Sequence, residues 1–302
     1  MSLRFSFRKR VSSSGSDYTS FSPSTSNIPD VACTVFRTHK LGQFDSYCEF
    51  GGVSIRGSSH YQSGTSRQDS FVIFPRQDQI ILALADGVSS SSLAQIGSSF
   101  VTLNLEKAVN SSFEGPVTGD IGKWNEVNAW LTRGLVGMFE AVSRKEGRSV
   151  PEDVLARRFE AGRKYATTLE VLVCDLNPSK DGSLEVLYVN LAGDGVVFHS
   201  ASKALSAPLF LHRTKDPGGK VAALPICDSS PRIEKIEMGL DSYVALVSDG
   251  IGDQISSSKW LKRINRYLTR ASMTTLSLHS LISEHDEWML DDRTLLAIRH
   301  RS

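Results

Sequence analysis

The residues best suited to chemistry in this sequence are aspartates next to apolar, strand-like segments. Carboxylates near buried strands are costly to desolvate unless a cation offsets them, and no matching set of Lys or Arg stands beside these residues. Hard divalent ions such as Mg²⁺ and Mn²⁺ prefer carboxylate oxygen. The pattern therefore predicts a divalent-metal site. Its candidate ligands are Asp86, Asp194 and Asp249, which follow such segments, and Asp69 and Asp291, which stand shortly before them.

Glycine follows three of these aspartates, at Gly87, Gly195 and Gly250. Asp-Gly is also the commonest signal of a hairpin turn, so each dipeptide alone is better explained as an ordinary turn. Repetition beside core strands favours the metal interpretation, because turns do not require that placement. Gly87 would let the backbone approach an ion closely, and its carbonyl is a candidate ligand.

The segments around these aspartates predict paired strands. Ser70–Phe74 and Ile80–Ala85 form one expected hairpin, joined by 75–79, and Thr167–Cys174 with Leu184–Leu191 form another. Their continuous apolar character predicts buried central strands rather than half-exposed ones. Further strands are expected at 196–199, 243–247 and 294–298.

Three helices are expected between the strands. Leu93–Val109 follows a serine run that could cap its free N–H groups, and Trp124–Lys145 carries an apolar stripe at helical spacing. Lys259–Arg270 has one apolar and one basic face; we interpret the basic face as solvated rather than as a binding surface. Strand pairs separated by helices predict an α+β layered sandwich, with a single domain over 31–302.

Composition excludes several functional classes. The chain of 302 residues has 34 Lys+Arg against 33 Asp+Glu, a net charge of +1, which argues against a broadly basic nucleic-acid surface. No apolar run approaches the roughly 18 to 20 residues needed to cross a bilayer. The four cysteines include no CxxC pair, so a zinc site is not indicated. Isolated thiols, with Cys174 expected to be buried and inert, favour a cytoplasmic protein.

The first 30 residues differ from the remainder. Residues 1–26 contain ten serines, and four basic residues precede the first acid, Asp17. Neither a secretory apolar core nor a sustained amphipathic period is present. We expect a disordered Ser/Arg-rich tail over 1–30.

The order of motifs resembles that of metal-dependent type 2C protein serine/threonine phosphatases, the bacterial branch more than the animal one. The resemblance runs from Val53 to Arg299. It is carried by Ser66-Arg-Gln-Asp69, Leu84-Ala-Asp-Gly-Val88, Ala166-Thr-Thr-Leu169, Asn190-Leu-Ala-Gly-Asp194, Val247-Ser-Asp-Gly-Ile-Gly-Asp253 and Asp291-Asp-Arg-Thr294.

This resemblance implies an antiparallel β-sandwich of two stacked sheets flanked by helices, in four αββα layers. It also implies a centre of two Mn²⁺ or Mg²⁺ ions. Asp86 would bridge both ions with the Gly87 carbonyl on one of them, and Asp249 and Asp291 would complete the coordination. Asp69 would bind an ion or a metal-held water, and Asp194 and Asp253 would hold a weaker third ion.

The implied reaction is hydrolysis of phosphoserine and phosphothreonine in proteins, by attack of a water that the two divalent ions activate. The implied partners are a phosphorylated protein substrate and a cognate serine/threonine kinase, and the chain is expected to be a monomer that binds neither nucleic acid nor membrane. Two alternatives remain open: a non-catalytic binding module that keeps the phosphatase fold, and an enzyme of the same fold that acts on a small phosphorylated metabolite.

The sequence also departs from the family pattern. Gln68 replaces an acid, Ser89–Ser92 replaces a Gly-Gly pair, and Gly rather than Ser follows Asp194. Gly64 stands where the family commonly has an arginine that holds the substrate phosphate. Arg56 or Arg67 could substitute for it, although an exposed loop arginine is the default expectation. The acid histidine of animal members is absent from its usual place, and we expect His60 to be structural.

Overall fold

Two five-stranded antiparallel sheets form the centre of the molecule. The computed structural model describes residues 29–38, 41, 46–200, 221–255, 258–270, 272–283 and 290–302. The strand order of the first sheet is β1 (Val31–Arg37), β2 (Tyr47–Ile55), β10 (Arg293–Arg301), β9 (Tyr243–Val247) and β7 (Val196–Ser200). The order of the second is β3 (Ser70–Arg76), β4 (Gln79–Ala85), β5 (Leu169–Asp175), β6 (Leu184–Ala192) and β8 (Arg232–Met238).

Helices cover the outer faces of both sheets. The helices are α1 (Ser58–Ser63), α2 (Ala94–Ser112), α3 (Ile121–Lys145), α4 (Val154–Tyr165), α5 (Asp249–Ile255), α6 (Ser258–Arg270) and α7 (Thr275–Ser283). In β4, Ile80, Leu82 and Leu84 pack into the core between the sheets, while the alternate residues pack against α2 and α3. A strand buried on both faces is continuously apolar, and the predicted αββα sandwich is confirmed.

The strand predictions need two corrections. The first hairpin forms, but 75, 76 and 79 belong to its strands, and only Gln77 and Asp78 connect them. The β3 strand is an edge strand of intermediate burial rather than a buried central one, because β4 is its only neighbour. The apolar pattern also missed β1 and β8, which are edge strands with exposed positions, and the buried central strand β2.

The three predicted helices are present as α2, α3 and α6, and the sequence pattern missed α1, α4, α5 and α7. The predicted serine cap of α2 is wrong: the helix begins after Leu93 without a side-chain cap. The serine run instead binds the end of α4, where Ser91 Oγ donates a hydrogen bond to the Gly162 carbonyl at 2.8 Å and the Ser92 N–H donates to Arg163 O.

The remaining expectations concern the surface and the first residues of the chain. On α6, Lys262 and Arg266 are exposed, as expected for a solvated face. Cys174 is buried, and all four cysteines are free thiols. None of the helices within the described residues has the length and apolar character needed to span a bilayer. Of the tail predicted at 1–30, residues 1–28 lie outside the described residues, and β1 begins at Val31.

Two glycines provide a matched test of the helical packing. A Cβ on Gly97 of α2 would collide with the Tyr165 carbonyl at the end of α4, whereas a Cβ on Gly137 of α3 would meet nothing within 4 Å. We expect Gly97→Ala to lower the free energy of unfolding by about 1 to 3 kcal/mol through overpacking. We expect Gly137→Ala to be neutral or to stabilise by roughly 0.5 to 1 kcal/mol. Urea unfolding measures both, and equal effects would contradict the close contact of α2 with α4.

Candidate metal centre

Strand pairing brings four of the predicted aspartates to one end of the sandwich. Ser70 pairs with Ala85, so Asp69 and Asp86 lie at the same end of the β3–β4 hairpin. In the other sheet, Leu295 of β10 pairs with Val247 of β9. Asp249 therefore begins α5 next to the segment that contains Asp291. Packing of the two sheets places the two pairs together.

The pKa values of Asp69, Asp86 and Asp291 are raised, partly because their carboxyl groups lie close to other carboxylates. The Asp86 carboxyl lies within hydrogen-bonding reach of both Asp69 and Asp249, and the charge of Asp291 also acts on it. Burial, followed by repulsion from Asp292 and Asp249, raises the pKa of Asp69 to about 7. Burial and the neighbouring carboxylates raise the pKa of Asp86 well above its usual value, and burial also raises the pKa of Asp291.

Two oxygens of this cluster have no protein partner. Asp69 Oδ1 and Asp249 Oδ1 are buried and accept no hydrogen bond from the described residues. The other oxygen of Asp69 accepts a hydrogen bond from Thr294 Oγ1 at 2.6 Å. Buried carboxylates without a cation or a donor are unfavourable, and a divalent ion would satisfy them. The donor set therefore fits Mg²⁺ or Mn²⁺.

The two threonines of the 166–169 motif position the loop that carries Asp86. The Asp86 N–H donates a hydrogen bond to Thr168 Oγ1 at 2.8 Å, and Asp86 O accepts one from Thr167 Oγ1 at 2.9 Å and one from the Thr168 N–H at 2.8 Å. Gly87 forms an isolated bridge with Thr167. A Cβ on Gly87 would lie 2.9 Å from the Ala94 side chain, so the close packing of this loop requires glycine.

Asp292 is a buried residue of the site that the ligand pattern missed. It accepts hydrogen bonds from the Gly57 N–H at 2.6 Å, from the Asp69 N–H at 3.2 Å and from the Gln68 N–H, and it pairs with His60 Nδ1 at 2.8 Å. Burial alone would raise the pKa of Asp292, but these hydrogen bonds, led by that of His60, lower it below its usual value. The same bond raises the pKa of His60.

Within the described part of the chain, His60, Asp291 and Asp292 are the one trio whose potential ligand atoms lie within 4.8 Å of one another. Both Asp292 oxygens and His60 Nδ1 are occupied by the hydrogen bonds given above. This cluster therefore orders the loop before β3, which agrees with a structural role for His60. Asp69, Asp86, Asp249 and Asp291, which are also described, do not form so compact a trio; ligands divided between two ions would have this wider spacing.

The structure assigns structural contacts to both candidate phosphate-holding arginines. Arg67 is 5% exposed, and it donates hydrogen bonds to Ser54 Oγ and to the Asp69 carbonyl, both at 2.6 Å. The default expectation of an exposed loop arginine is wrong for this residue. Arg56 pairs with Asp30 at 2.9 Å and donates to the His60 carbonyl. Gly64 ends α1 at φ +72°, a conformation suited to glycine.

The two aspartates predicted for a third ion lie at the edge of the cluster. Asp194 is partly exposed in the turn between β6 and β7. Asp253 is exposed one turn beyond Asp249 in α5, a spacing that puts both on one side of the helix.

The sequence matches a known protein family, and the fold has matches among solved structures. The sequence model of the family described as protein phosphatase 2C matches residues 56–283. Among solved structures, RsbX in complex with magnesium superposes with a TM-score of 0.51 at 11% identity and covers 89% of this chain and 100% of its own.

Two named bacterial serine/threonine phosphatases have the same fold. The enzyme of S. agalactiae gives a TM-score of 0.51 at 12% identity, with 89% of this chain and 99% of that chain covered. Stp1 of Staphylococcus aureus gives 0.50 at 16% identity, with 87% and 97% covered. No curated protein matches the sequence. At these identities the structural likeness establishes the fold.

The raised pKa values predict that the metal-free protein loses stability as the pH rises. Between the usual aspartate pKa near 4 and the raised value of about 7 for Asp69, the folded state holds a proton that the unfolded state has lost. The free energy of unfolding should therefore decrease from pH 5 to pH 8. Calorimetric Tm values in chelator measure this effect, and Mn²⁺ should restore stability at pH 8. Asp69→Asn should flatten the dependence, and an equally steep dependence in that variant would contradict it.

The role of Asp292 predicts that its amide isostere destabilises the protein. Asp292→Asn removes one acceptor oxygen and turns an NH₂ group toward a backbone N–H, so we expect a loss of about 1 to 3 kcal/mol in the free energy of unfolding. Urea unfolding at neutral pH measures it. Asp228→Asn is the control: this side chain is 71% exposed and pairs with Arg158 at the surface, so the loss should stay below about 1 kcal/mol. Equal stability of the two variants would exclude the ordering role.

Proposed function

Because the chain belongs to the protein phosphatase 2C family, we propose that it hydrolyses phosphoserine and phosphothreonine monoesters in proteins with the help of Mn²⁺ or Mg²⁺. The convergence of Asp69, Asp86, Asp249 and Asp291 carries this proposal. The Asp86 carboxyl lies within hydrogen-bonding reach of Asp69 and Asp249, and two buried oxygens of the cluster accept no hydrogen bond from the described residues. Such a cluster is suited to holding divalent ions.

The proposed ligand roles follow from the position of each group. Asp86 lies between Asp69 and Asp249, so it is suited to bridge two ions, with the Gly87 carbonyl beside it. Asp249 and Asp291 would complete the coordination, and Asp69 would bind an ion or hold a water on one. When bound, the ions polarise the phosphate and lower the pKa of a bound water.

The chain's own contribution is to fix these carboxylates in place. Thr167 and Thr168 clamp the backbone of Asp86, and Thr294 orients Asp69. Each positioning bond removes a rotation that would move a ligand, and metal sites depend on such second partners. A protein nucleophile is not required, because a water is the attacking group in this class of hydrolysis.

One observation favours the non-catalytic alternative. Arg56 and Arg67 are both engaged in structural contacts, so neither is free to hold a substrate phosphate. A phosphatase-fold binding module would bind Mn²⁺ without turnover, whereas the enzyme would bind it and release phosphate. Calorimetric titration with Mn²⁺, run beside an activity assay, separates the two.

The proposal includes the biological setting. The balanced charge of +1 supports a phosphorylated protein rather than a nucleic acid as the partner. A protein substrate of this kind requires a serine/threonine kinase that adds the phosphate. The four free thiols support a reducing, cytoplasmic location. We further propose that residues 31–302 act as one catalytic domain and that the protein is a monomer.

Loss of one central carboxylate should abolish the reaction. Asp249→Asn removes a ligand charge while keeping the side-chain shape, so we expect Mn²⁺-dependent hydrolysis of p-nitrophenyl phosphate and of a phosphothreonine peptide to fall by roughly 10²-fold or more. Excess chelator should abolish activity of the unmodified protein. Asp228→Asn, far more exposed, serves as the control and should retain full activity. Phosphate release that is insensitive to chelator or to Asp249→Asn would refute the proposed function.

A further inference from the structure

Glu170 is a buried carboxyl group to which the proposed reaction assigns no role. It lies in β5 with no solvent exposure. Its Oε1 accepts hydrogen bonds from the Tyr188 hydroxyl at 2.6 Å and from Asn190 Nδ2 at 3.0 Å. Both donors come from the neighbouring strand β6 and hold the side chain in one orientation. That orientation directs the second oxygen away from β6.

The second oxygen, Oε2, faces the turn that contains Asp194. It is buried and makes no hydrogen bond of normal geometry within the described residues, although the Gly195 N–H is close enough to lower the pKa. A Cβ on Gly195 would collide with Oε2 and would lie 2.9 Å from the Val247 carbonyl. Glycine at 195 therefore leaves room for the carboxylate beside the turn.

Two other carboxylates, those of Asp194 and Asp249, are close enough to Glu170 for their charges to act on it. Burial raises the pKa of Glu170 to about 8, and the carboxylates of Asp194 and Asp249 contribute to the increase. Asp194 is partly exposed, so an ion could reach the space beside Glu170 Oε2 from solvent past Asp194. A buried carboxylate among other carboxylates is unfavourable without a cation, and metal-binding carboxylates usually have one oxygen fixed by hydrogen bonds, as Oε1 is here.

We propose that Glu170 Oε2 is a protein ligand of a third divalent ion, which it shares with Asp194 beside the two-ion centre at Asp86. The inference rests on the proposed function, because it extends the metal centre of that function. Glu170 brings to this ion a fully buried charge on a rigid central strand. The third ion should therefore bind more tightly in this chain than exposed carboxylates alone would allow.

The competing explanation is a structural carboxylic acid that stays protonated between β5 and the 193–195 turn. A protonated acid and its amide are close in shape and in hydrogen-bonding capacity, so Glu170→Gln would then leave metal binding unchanged. A ligand carboxylate loses its charge in the same substitution. The two roles therefore give opposite results for one variant.

The experiment is a calorimetric titration of the metal-free full chain with Mn²⁺ alone, with the number of bound ions checked by elemental analysis after dialysis. The unmodified protein should bind two ions and a weaker third. Glu170→Gln should weaken the third by about 10- to 100-fold and leave the first two unchanged. Asp194→Asn should weaken the same ion. Glu185→Gln, an exposed glutamate on β6, is the matched control and should bind all three normally.

A second variant covers the case in which Glu170→Gln does not fold, which circular dichroism would show. Tyr188→Phe removes the hydroxyl that donates to Oε1 and that accepts from Asn190 Nδ2, while the Asn190 bond to Oε1 remains. It should therefore weaken the third ion less, by several-fold. Unaltered third-ion affinity in the folded variants overturns the proposal, as does an unmodified protein that binds two ions only. Failure to bind any Mn²⁺ would instead refute the proposed function itself, so the two failures are distinguishable.

Discussion

Carboxylates that the fold brings close together repel one another, and the surrounding structure must hold them against that repulsion. Asp69, Asp86 and Asp249 are brought within reach of one another at one end of the sandwich, and burial makes their charges costlier still. Within the described residues, no lysine or arginine side chain forms an ion pair with these carboxylates, although the charge of Arg67 acts on Asp69. The arrangement is therefore unfavourable by itself and becomes favourable when divalent cations occupy it.

The surrounding structure holds these groups together against that repulsion. Thr167 and Thr168 fix the Asp86 backbone, and the charged head of Arg67 binds the Asp69 carbonyl rather than its carboxylate. Asp292 gathers three backbone N–H groups and His60 into one buried cluster, which fixes the loop before β3. The hydrogen-bond donors around the site thus bind mainly backbone groups and Asp292. Among the described residues, none of them binds Asp69 Oδ1 or Asp249 Oδ1, the two oxygens suited to an ion.

Much of the architecture could be predicted from the sequence, since strands buried on both faces, such as β4, are continuously apolar, and α3 shows a clear helical stripe. The errors fall at the edges of the sheets and at β2, a buried central strand that the sequence pattern missed. The edge strand β3 is apolar enough to resemble a central strand. The strands β1 and β8 include exposed positions, so they lack the continuous apolar run by which a strand is predicted. Edge positions are decided by which strands are neighbours, and a local pattern contains no information about neighbours.

For the site, residue types and their order predict the candidate metal ligands: aspartates beside core strands, in an order that resembles one family. Which of these side chains meet, and which groups hold them, depends on how distant segments pack. This packing gives Arg67 a buried structural role, and it makes Asp292 the centre of a hydrogen-bonded cluster with His60, 232 positions away in the chain. The packing also buries Glu170, a residue of an apolar strand, close enough to Asp194 for the two charges to interact. The physical reason is that residue type and strand period are local properties, whereas desolvation and hydrogen-bond partnership arise only when distant segments pack.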